Sequence, residues 1–290
     1  MARGASRAPQ VKMSAARRAT NARVAGERLR IGEIWVDRLT FDEAIDAIDA
    51  LVREKCGGKV FTPNVDHLVL AEQNALFKEA YDAVDLSFAD GMPLVWASRL
   101  MGIELPAKIS GADLIRPLMK RAKSRKWRVF LLGGAPGVAA KAAEVLVAES
   151  GATIAGISSP MVGSDGSCAE DALEEVRAAR PDLLLAALGS PKQEIWIHRN
   201  AAAFGPVVAV GIGAGFDFIA GTAKRAPPWM SDAGVEWLFR LAHEPRRLWR
   251  RYILMDTRFP LIVLRTLRRP RHEWHRERAT ASAASGTPGP

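Results

Sequence analysis

Asp90 is a residue whose surroundings suit it to acid–base chemistry. It stands in FADGMPLVWASRL (residues 88–100), between an apolar, strand-like run and a helix-like run. Its neighbours are mostly apolar, and such surroundings raise the pKa of a carboxyl group and make it a stronger base. An aspartate at a helix start can equally act as the N-cap. Position alone does not separate the general base from the cap.

Two glycine-containing segments suit phosphate groups. GGAPG (133–137) links a strand-like run to a helix-like run, so its backbone amides and the helix dipole could receive a phosphate. A tight turn is the alternative. In GIGAGFDFIAGTAKRAP (211–227), four glycines stand near Lys224 and Arg225. Bare backbone beside cations suits a pyrophosphate, and a solvated turn is the alternative.

A third segment, GSPKQEIW (189–196), has the pattern of a helix start. Ser190 fits the N-cap, Pro191 fits the first turn, and Gln193 stands three residues after the cap, as in a capping box. This structural interpretation accounts for Ser190 and Pro191 and can account for Gln193. Lys192 beside the same helix start indicates anion binding.

Motifs for metals and for common hydrolases are missing from the sequence. There is no DxD, HExxH or GxSxG motif, and HEWH (272–275) lies in a tail. The two cysteines, Cys56 and Cys168, are too few and too far apart for a disulfide framework or a metal cluster, which favours a reduced, cytosolic setting. No second carboxylate shares a motif with Asp90, which argues against a glycosidase pair. We therefore predict no metal site and no cofactor.

Short apolar runs that alternate with helical patterns must position these residues. The predicted strands are residues 59–64, 85–89, 127–134, 153–158, 182–189 and 207–213. The predicted helices are roughly residues 41–53, 66–80, 92–101, 112–125, 137–149, 169–179 and 191–200. Nearly continuous apolar strands separated by helices indicate a parallel sheet covered on both faces. The fold class is therefore α/β and Rossmann-like, with a basic C-terminal helical appendage.

In such a sheet, ligands bind beyond the carboxyl ends of the strands. The residues predicted to lie along this rim follow five of the predicted strands: Thr62, Asn64, Asp90, Gly133, Gly134, Ser190 to Gln193, and Gly213 to Asp217. If the strands are correct, these residues converge on one edge.

The formal net charge of +9 is concentrated at the two ends of the chain. Residues 1–30 carry +7 and residues 240–278 carry +8, which leaves residues 31–239 acidic at −6. A nucleic-acid-binding protein would carry basic residues and stacking aromatic side chains across its folded core. We therefore predict no nucleic-acid partner, and an appendage that meets an anionic surface.

Composition divides the chain into four segments. Residues 1–30 and 279–290 lack apolar periodicity and are predicted to be disordered. Between them lie a catalytic domain over residues 31–227 and an appendage over residues 228–278. No stretch reaches the ~18 apolar residues that a membrane span needs. Basic amphipathic helices like those of the appendage lie on anionic membrane surfaces, and a helical cap packed on the core is the alternative.

Taken together, these segments resemble the WecG/TagA/CpsF glycosyltransferases (glycosyltransferase family 26). The resemblance covers residues 33–268 in the right order. The matching segments are TPNVDHLVLA (62–71), ADGMPLVWASRLMG (89–102), SGADL (110–114), FLLGGAPGVA (130–139), LGSPKQEIWI (188–197), GIGAGFDFIAGTAKRAP (211–227) and EWLFRLAHEPRRLWRR (236–251).

The resemblance implies an inverting, metal-independent enzyme with a Rossmann-like core. The donor would be a UDP-sugar, typically UDP-N-acetylmannosamine, and the acceptor a sugar on a polyprenyl diphosphate. The family's appendage completes the site at the membrane, which implies a cytoplasmic protein held peripherally on the inner face of the cell membrane. Such a site is compatible with a homo-oligomer.

The resemblance also implies roles for particular residues. The family's catalytic aspartate falls on Asp90, which makes it the predicted base. The UDP leaving group would be stabilised by Lys224, Arg225 and backbone amides instead of a metal. Lys108 in LPAKISG stands where the family has arginine, and lysine keeps the charge but loses the bidentate fork. The other implied binding residues are Thr62, Asn64, Gln193, Arg240, Arg247 and Arg250.

Two further expectations concern a second possible function and the contact with lipid. An oxidoreductase on a Rossmann-like core is the second function, although the sequence has no GxGxxG followed by an acidic residue ~20 positions on. In the appendage, a set of later arginines is expected to hold anionic lipid. These are Arg258, Arg265, Arg268, Arg269 and Arg271.

Overall fold

The structure is a computed structural model in which residues 26–167, 170–227, 229–230, 234–243 and 256–277 are described. The strands are β1 (Glu27–Ile31), β2 (Ile34–Asp37), β3 (Gly58–Phe61), β4 (Leu86–Ser87), β5 (Arg128–Gly133), β6 (Thr153–Ser158), β7 (Leu183–Ala187), β8 (Val208–Gly211) and β9 (His275–Glu277). The helices are α1 (Phe41–Arg53), α2 (Val65–Gln73), α3 (Ala75–Asp82), α4 (Met92–Leu100), α5 (Gly111–Arg125), α6 (Val138–Ser150), α7 (Glu170–Ala179), α8 (Lys192–Asn200), α9 (Gly215–Ala220), α10 (Glu236–His243), α11 (Phe259–Leu267) and α12 (Arg271–Trp274).

The central element is a six-stranded sheet in the order β4-β3-β8-β7-β5-β6. All of its neighbouring strands pair in parallel. Each of the six predicted strands overlaps one strand of this sheet, and each predicted helix overlaps at least one observed helix. The predicted α/β, Rossmann-like fold is therefore confirmed.

Helices cover both faces of the sheet, as the apolar strands require. In β5, Val129 and Leu131 pack with α1, α5, α6 and α9, while Phe130 and Leu132 pack with α2, α3, α4, α7 and α8. Successive strand residues thus enter opposite halves of the core, which is the period-2 alternation of a strand buried on both sides. The loops at the carboxyl ends of the strands are held between these two layers.

A second, antiparallel sheet of order β2-β1-β9 was not predicted. Residues 27–30, which the sequence analysis assigned to a disordered tail, form most of β1, so that boundary was wrong. Leu29, Ile31, Ile34 and Val36 are fully buried in the core half that contains α2 and α3. The rest of the predicted tails, residues 1–25 and 279–290, lies outside the described residues.

The end of the predicted appendage is built into the fold. In α11, Ile262 and Val263 are buried in the same core half as β1, and so is Trp274 after it. Residues 275–277 then form β9, which pairs with β1 from Glu27 to Leu29. This part of the appendage therefore shares a core and a sheet with residues before 228, so the boundary at residue 227 does not separate it from them.

Two arginines that were expected to hold lipid pair with carboxylates of the domain. Arg269 lies 3.1 Å from Glu33 in the turn between β1 and β2, and Arg265 lies 3.4 Å from Glu72 in α2. These pairs form because α11 packs against β1 and α2 and brings carboxylates within reach, and lipid binding by the two arginines stays a prediction. Within the described residues, no helix is both long enough and apolar enough to cross a bilayer.

Thr266 joins α11 to the β1–β2 turn and generates a prediction. Its Oγ1 accepts the backbone N–H of Gly32 at 2.9 Å and donates to the carbonyl of Ile262 at 2.8 Å, in a fully buried setting. Thr266→Val keeps the shape but leaves the Gly32 N–H buried without its acceptor. We expect urea unfolding to show a loss of about 1–3 kcal/mol.

Thr153→Val, at an exposed position of β6, is the matched control and should change stability by no more than about 0.5 kcal/mol. Equal effects of the two substitutions would show that α11 does not depend on this hydrogen bond.

Candidate active site

The carboxyl ends of the parallel strands place the residues that were predicted for the rim on one edge of the sheet. The helix after β8 (α9) covers one face of the sheet, whereas the helices after the neighbouring strands β3 and β7 (α2 and α8) cover the other. Connections that leave in opposite directions open a crevice at the strand ends, where ligands of such sheets bind. The end of β8 is therefore the centre of the candidate site.

Asp90 lies where three rim segments meet. Its backbone N–H donates to the carbonyl of Pro63 in the loop after β3 at 2.8 Å. The neighbouring Ala89 carbonyl accepts the N–H of Ile109 at 2.8 Å, which brings the half-buried Lys108 to the same place. Asp90 is itself only half-buried, so a ligand in the crevice can reach it.

The N-cap interpretation of Asp90 is wrong, because the N-cap of α4 is Gly91. Gly91 has φ of 116°, a conformation that residues with a side chain rarely adopt. The Asp-Gly pair thus turns the chain sharply between β4 and α4. Asp90 stands one position before the cap, on the rim itself.

Thr62 and Asn64 follow β3 as predicted. The Thr62 hydroxyl is buried next to Gly111, where a Cβ would come within 3.1 Å of Thr62 Oγ1 and even closer to the Gly211 carbonyl. Asn64 is the N-cap of α2, because its side-chain oxygen accepts the N–H of His67 at 3.2 Å. Its side-chain oxygen therefore has a structural role that the sequence analysis did not consider.

Gln193 does not form the predicted capping box. The N-cap of α8 is Pro191, and the Gln193 side chain turns into the protein, where it is 4% exposed. Its Oε1 accepts the backbone N–H of Gly213 at 3.2 Å, and its Nε2 donates to Glu194 at 2.8 Å. The prediction failed because the Gln193 oxygen accepts from Gly213, which lies beyond β8 and outside the local pattern of a helix start.

A buried acid cluster beneath the rim was missed by the sequence analysis. Glu194 is 1% exposed, and burial raises its pKa to about 7, with a further rise from the Asp66 carboxylate. Burial also raises the pKa of the Tyr81 hydroxyl well above its usual value, and the carboxylates of Glu194, Asp90 and Asp66 add to the rise. Tyr81 in turn lies 2.6 Å from Nδ1 of the buried His67. Asp90 therefore acts on the same buried tyrosine as two other carboxyl groups, which no shared motif revealed.

The GGAPG segment forms the predicted strand-to-helix turn. Gly133 and Gly134 have φ of 100° and 77°, and a Cβ on Gly133 would collide with the carbonyl of Ala187 in β7. The N-cap of α6 is Gly137, which offers no side chain to cap the helix. The turn itself is confirmed, and phosphate binding there remains a prediction.

The segment after β8 holds three further predicted residues. Asp217 accepts the Thr222 hydroxyl at 3.1 Å and so helps to close the turn after α9. Lys224 is exposed, and Arg225 lies 2.5 Å from Asp113 in the first turn of α5. A phosphate that binds Arg225 must therefore compete with, or join, the Asp113 carboxylate.

The appendage arginines are described only in part. Arg240 belongs to α10, but its side chain lies outside the described structure, as do Arg247 and Arg250 altogether. Their predicted roles therefore stay predictions. Among the described residues, no group of three or more His, Cys, Asp or Glu side chains is placed to hold a metal ion.

A doubly covered parallel sheet with glycine loops, cations and an aspartate on its rim is the architecture of an α/β protein that binds its ligand beyond the strand ends. Comparison with known proteins gives the family: the chain belongs to the WecG/TagA/CpsF family of glycosyl transferases, which matches residues 29–273. The resemblance found in the sequence is thus confirmed. The assignment decides for the glycosyltransferase over the oxidoreductase.

Two curated relatives support the same assignment. The N-acetylglucosaminyldiphosphoundecaprenol N-acetyl-beta-D-mannosaminyltransferase of Bacillus spizizenii is 35% identical over 198 residues, which cover 68% of this chain and 75% of the relative. The protein of the same name from Bacillus subtilis is 31% identical over 217 residues, which cover 74% and 82%. This chain is therefore similar to proteins that transfer a sugar.

The raised pKa of Glu194 predicts how stability depends on pH. Between about pH 4.5 and pH 7, the folded state keeps a proton on Glu194 that the unfolded chain has lost, so the free energy of unfolding falls as pH rises. Glu194→Gln removes this titration. Relative to the wild type, the variant should gain up to about 3 kcal/mol between pH 4.5 and pH 8 in urea unfolding.

Glu149→Gln is the control with the opposite sign. Its hydrogen bond to Arg116 lowers the pKa of Glu149, so that variant should lose relative stability as pH rises. Parallel pH curves for Glu194→Gln and the wild type would contradict a proton held by Glu194 at neutral pH.

Proposed function

We propose that this protein transfers a sugar, of the N-acetylmannosamine type or a related hexose, from a UDP-sugar to a sugar on a polyprenyl diphosphate. The reaction inverts the anomeric centre and does not use a metal. The product belongs to cell-surface or exopolysaccharide synthesis. The names of the two Bacillus relatives, which transfer N-acetylmannosamine to N-acetylglucosaminyl-diphosphoundecaprenol, support the acceptor and the type of sugar.

The observation that carries the proposal is the position of Asp90. The half-buried carboxylate lies at the junction of the loops after β3 and β4, with the segment that contains Lys108 beside it. A general base must be within reach of the hydroxyl from which it takes a proton. A base on the open rim, beside a crevice that can hold the donor, meets this requirement.

In the proposed reaction, Asp90 takes the proton of the acceptor hydroxyl while that oxygen attacks the anomeric carbon of the donor. The bond between this carbon and the diphosphate oxygen breaks, and UDP leaves with the electron pair. Lys224, Arg225 and the amides of the glycine-containing loops stabilise the charge that develops on the leaving diphosphate. Arg225 would do so from a position that Asp113 already fixes.

The other predicted residues complete this scheme. Thr62, Asn64 and Lys108 follow or flank the strands nearest to Asp90, and we assign them to the donor. Gly133 and Gly134 offer a second turn for phosphate oxygens, beyond β7 in the sheet. The appendage arginines, Arg240, Arg247 and Arg250, would meet the acceptor diphosphate or the departing UDP.

A membrane-surface position for this enzyme is supported by the outer face of α11. Leu261, Leu264 and Leu267 are 54%, 45% and 40% exposed on this helix, and the exposed Arg268 follows them. An exposed apolar stripe flanked by arginines suits the interface of an anionic bilayer. We propose that this face holds the enzyme on the inner face of the cell membrane, next to its lipid-linked acceptor.

The base is tested by Asp90→Asn. The amide is close in size to the carboxylate but cannot take the proton, so turnover should fall about 10²- to 10⁴-fold while UDP binding is kept. Release of UDP from a panel of UDP-sugars with a short-chain polyprenyl-diphosphate acceptor measures turnover, and calorimetry measures binding. Near-normal turnover would remove Asp90 from the mechanism, and no turnover by the wild type with any donor would remove the proposed reaction.

The membrane face is tested by Leu261→Ser combined with Leu264→Ser. Sedimentation with vesicles that contain phosphatidylglycerol should show at least a tenfold weaker association, because two leucines that contribute about 1.5–3 kcal/mol each are lost from the interface. Val147→Ser, at a similarly exposed position of α6, is the matched control and should not change binding. Equal binding by all three proteins would place the membrane contact elsewhere.

A further inference from the structure

Glu194 is a buried side chain that the proposed mechanism does not use. It lies in the first turn of α8, directly below the end of β8. Its Oε1 accepts from Nε2 of Gln193 at 2.8 Å, and hydrogen bonds from the Ser190 side chain and from the backbone N–H of Glu194 also lower the pKa of the carboxyl group. A buried carboxyl group is costly to keep, so its hydrogen bond to Gln193, which reaches on to the end of β8, is a natural place to seek its role.

That contact decides which way the Gln193 amide points. An amide has a donor end and an acceptor end, and the two can be exchanged by a half-turn. In the observed orientation, Nε2 faces Glu194 and Oε1 faces the N–H of Gly213. After a half-turn, the NH₂ group would face the Gly213 N–H and that bond would be lost, and the oxygen would face an ionised Glu194 from which it could not accept.

Space for the Gln193 side chain is provided by Gly211. A Cβ at this position would collide with Nε2 of Gln193, so the amide lies directly against the backbone at the end of β8. Gly213, two residues further on, has φ of 54° and begins the turn into α9. The chain from Gly211 to Gly213 is thus held from one side by Gln193.

We propose that Glu194 is a positioning residue, which fixes the orientation of the Gln193 amide and through it the loop that begins at Gly213. The loop is the one that carries the bare backbone amides proposed for the donor diphosphate, and in this respect alone the inference depends on the proposed function. Preorganised amides stabilise developing charge better than amides that must first be ordered.

The charges around Glu194 support this role. The charged and titratable groups that act with it are the Asp66 carboxylate of α2 and the Tyr81 hydroxyl of α3, and Tyr81 also contacts His67 and feels the charge of Asp90. Burial raises the pKa of Glu194 to about 7, and a protonated or an ionised carboxyl can accept from Nε2 through Oε1. Glutamine at 194 could instead turn its own NH₂ group toward Gln193 and would no longer select one orientation.

A double-substitution cycle tests the inference by hydrogen exchange of the backbone amides. We expect Glu194→Gln and Gln193→Glu, each alone, to speed exchange in residues 211–217 by about 5- to 10-fold. In the combined variant, residue 194 donates its NH₂ group to a carboxylate at 193, which again accepts the Gly213 N–H. Exchange should therefore return toward the wild-type rate, while β7 stays unchanged throughout.

UDP affinity, measured on the same proteins, should follow the exchange rates. Unchanged exchange in Glu194→Gln, or no recovery in the combined variant, would overturn the positioning role.

Gly211→Ala tests the same bond without changing Glu194, because the new methyl group displaces Gln193. It should also speed exchange at Gly213, and an unchanged rate would equally overturn the role. A protein that passes these tests but transfers no sugar would refute the proposed function and leave the positioning role standing.

Discussion

The parallel pairing of β3 with β4 and β8 is the constraint on which the site depends. Parallel strands that share a sheet end at the same edge, so residues separated by more than 100 positions along the chain, such as Asp90 and Gly213, emerge together. Where the chain leaves these strands, tight turns and close backbone contacts require glycine. Gly91 turns the chain at the end of β4, and Gly111 and Gly211 let two backbones meet above Thr62.

The features that could be predicted from the sequence are those that a local pattern of residues determines. Strands such as β7 are short apolar runs between helices, and Asp90 stood out because a carboxylate followed such a run. The small antiparallel sheet was missed, because β9 is only three polar residues whose pairing partner, β1, lies at the other end of the chain. Glu194 was missed for a similar reason. The capping-box pattern is local, whereas the partner of Gln193 beyond its own helix is Gly213.

The C-terminal region combines two roles that composition could not separate. The spacing of arginines and apolar residues indicated an amphipathic helix, which α11 is. One face of α11 fills the core beside β1 through Ile262 and Val263, and the other exposes leucines and arginines. The sequence left two alternatives for this region, a helix on the membrane and a helix packed on the core. With the proposed membrane face, the two are opposite sides of α11.

The pairing of β1 with β9 has a consequence for how the chain matures during synthesis. Leu29 leaves the ribosome well before its partner in this ladder, His275, which follows some 240 residues later. At ~5–20 residues per second, this strand waits on the order of tens of seconds for its second neighbour. During that interval β1 is an unprotected edge that another nascent chain could pair with. Slow translation of the last segment would therefore favour aggregation before it affected catalysis.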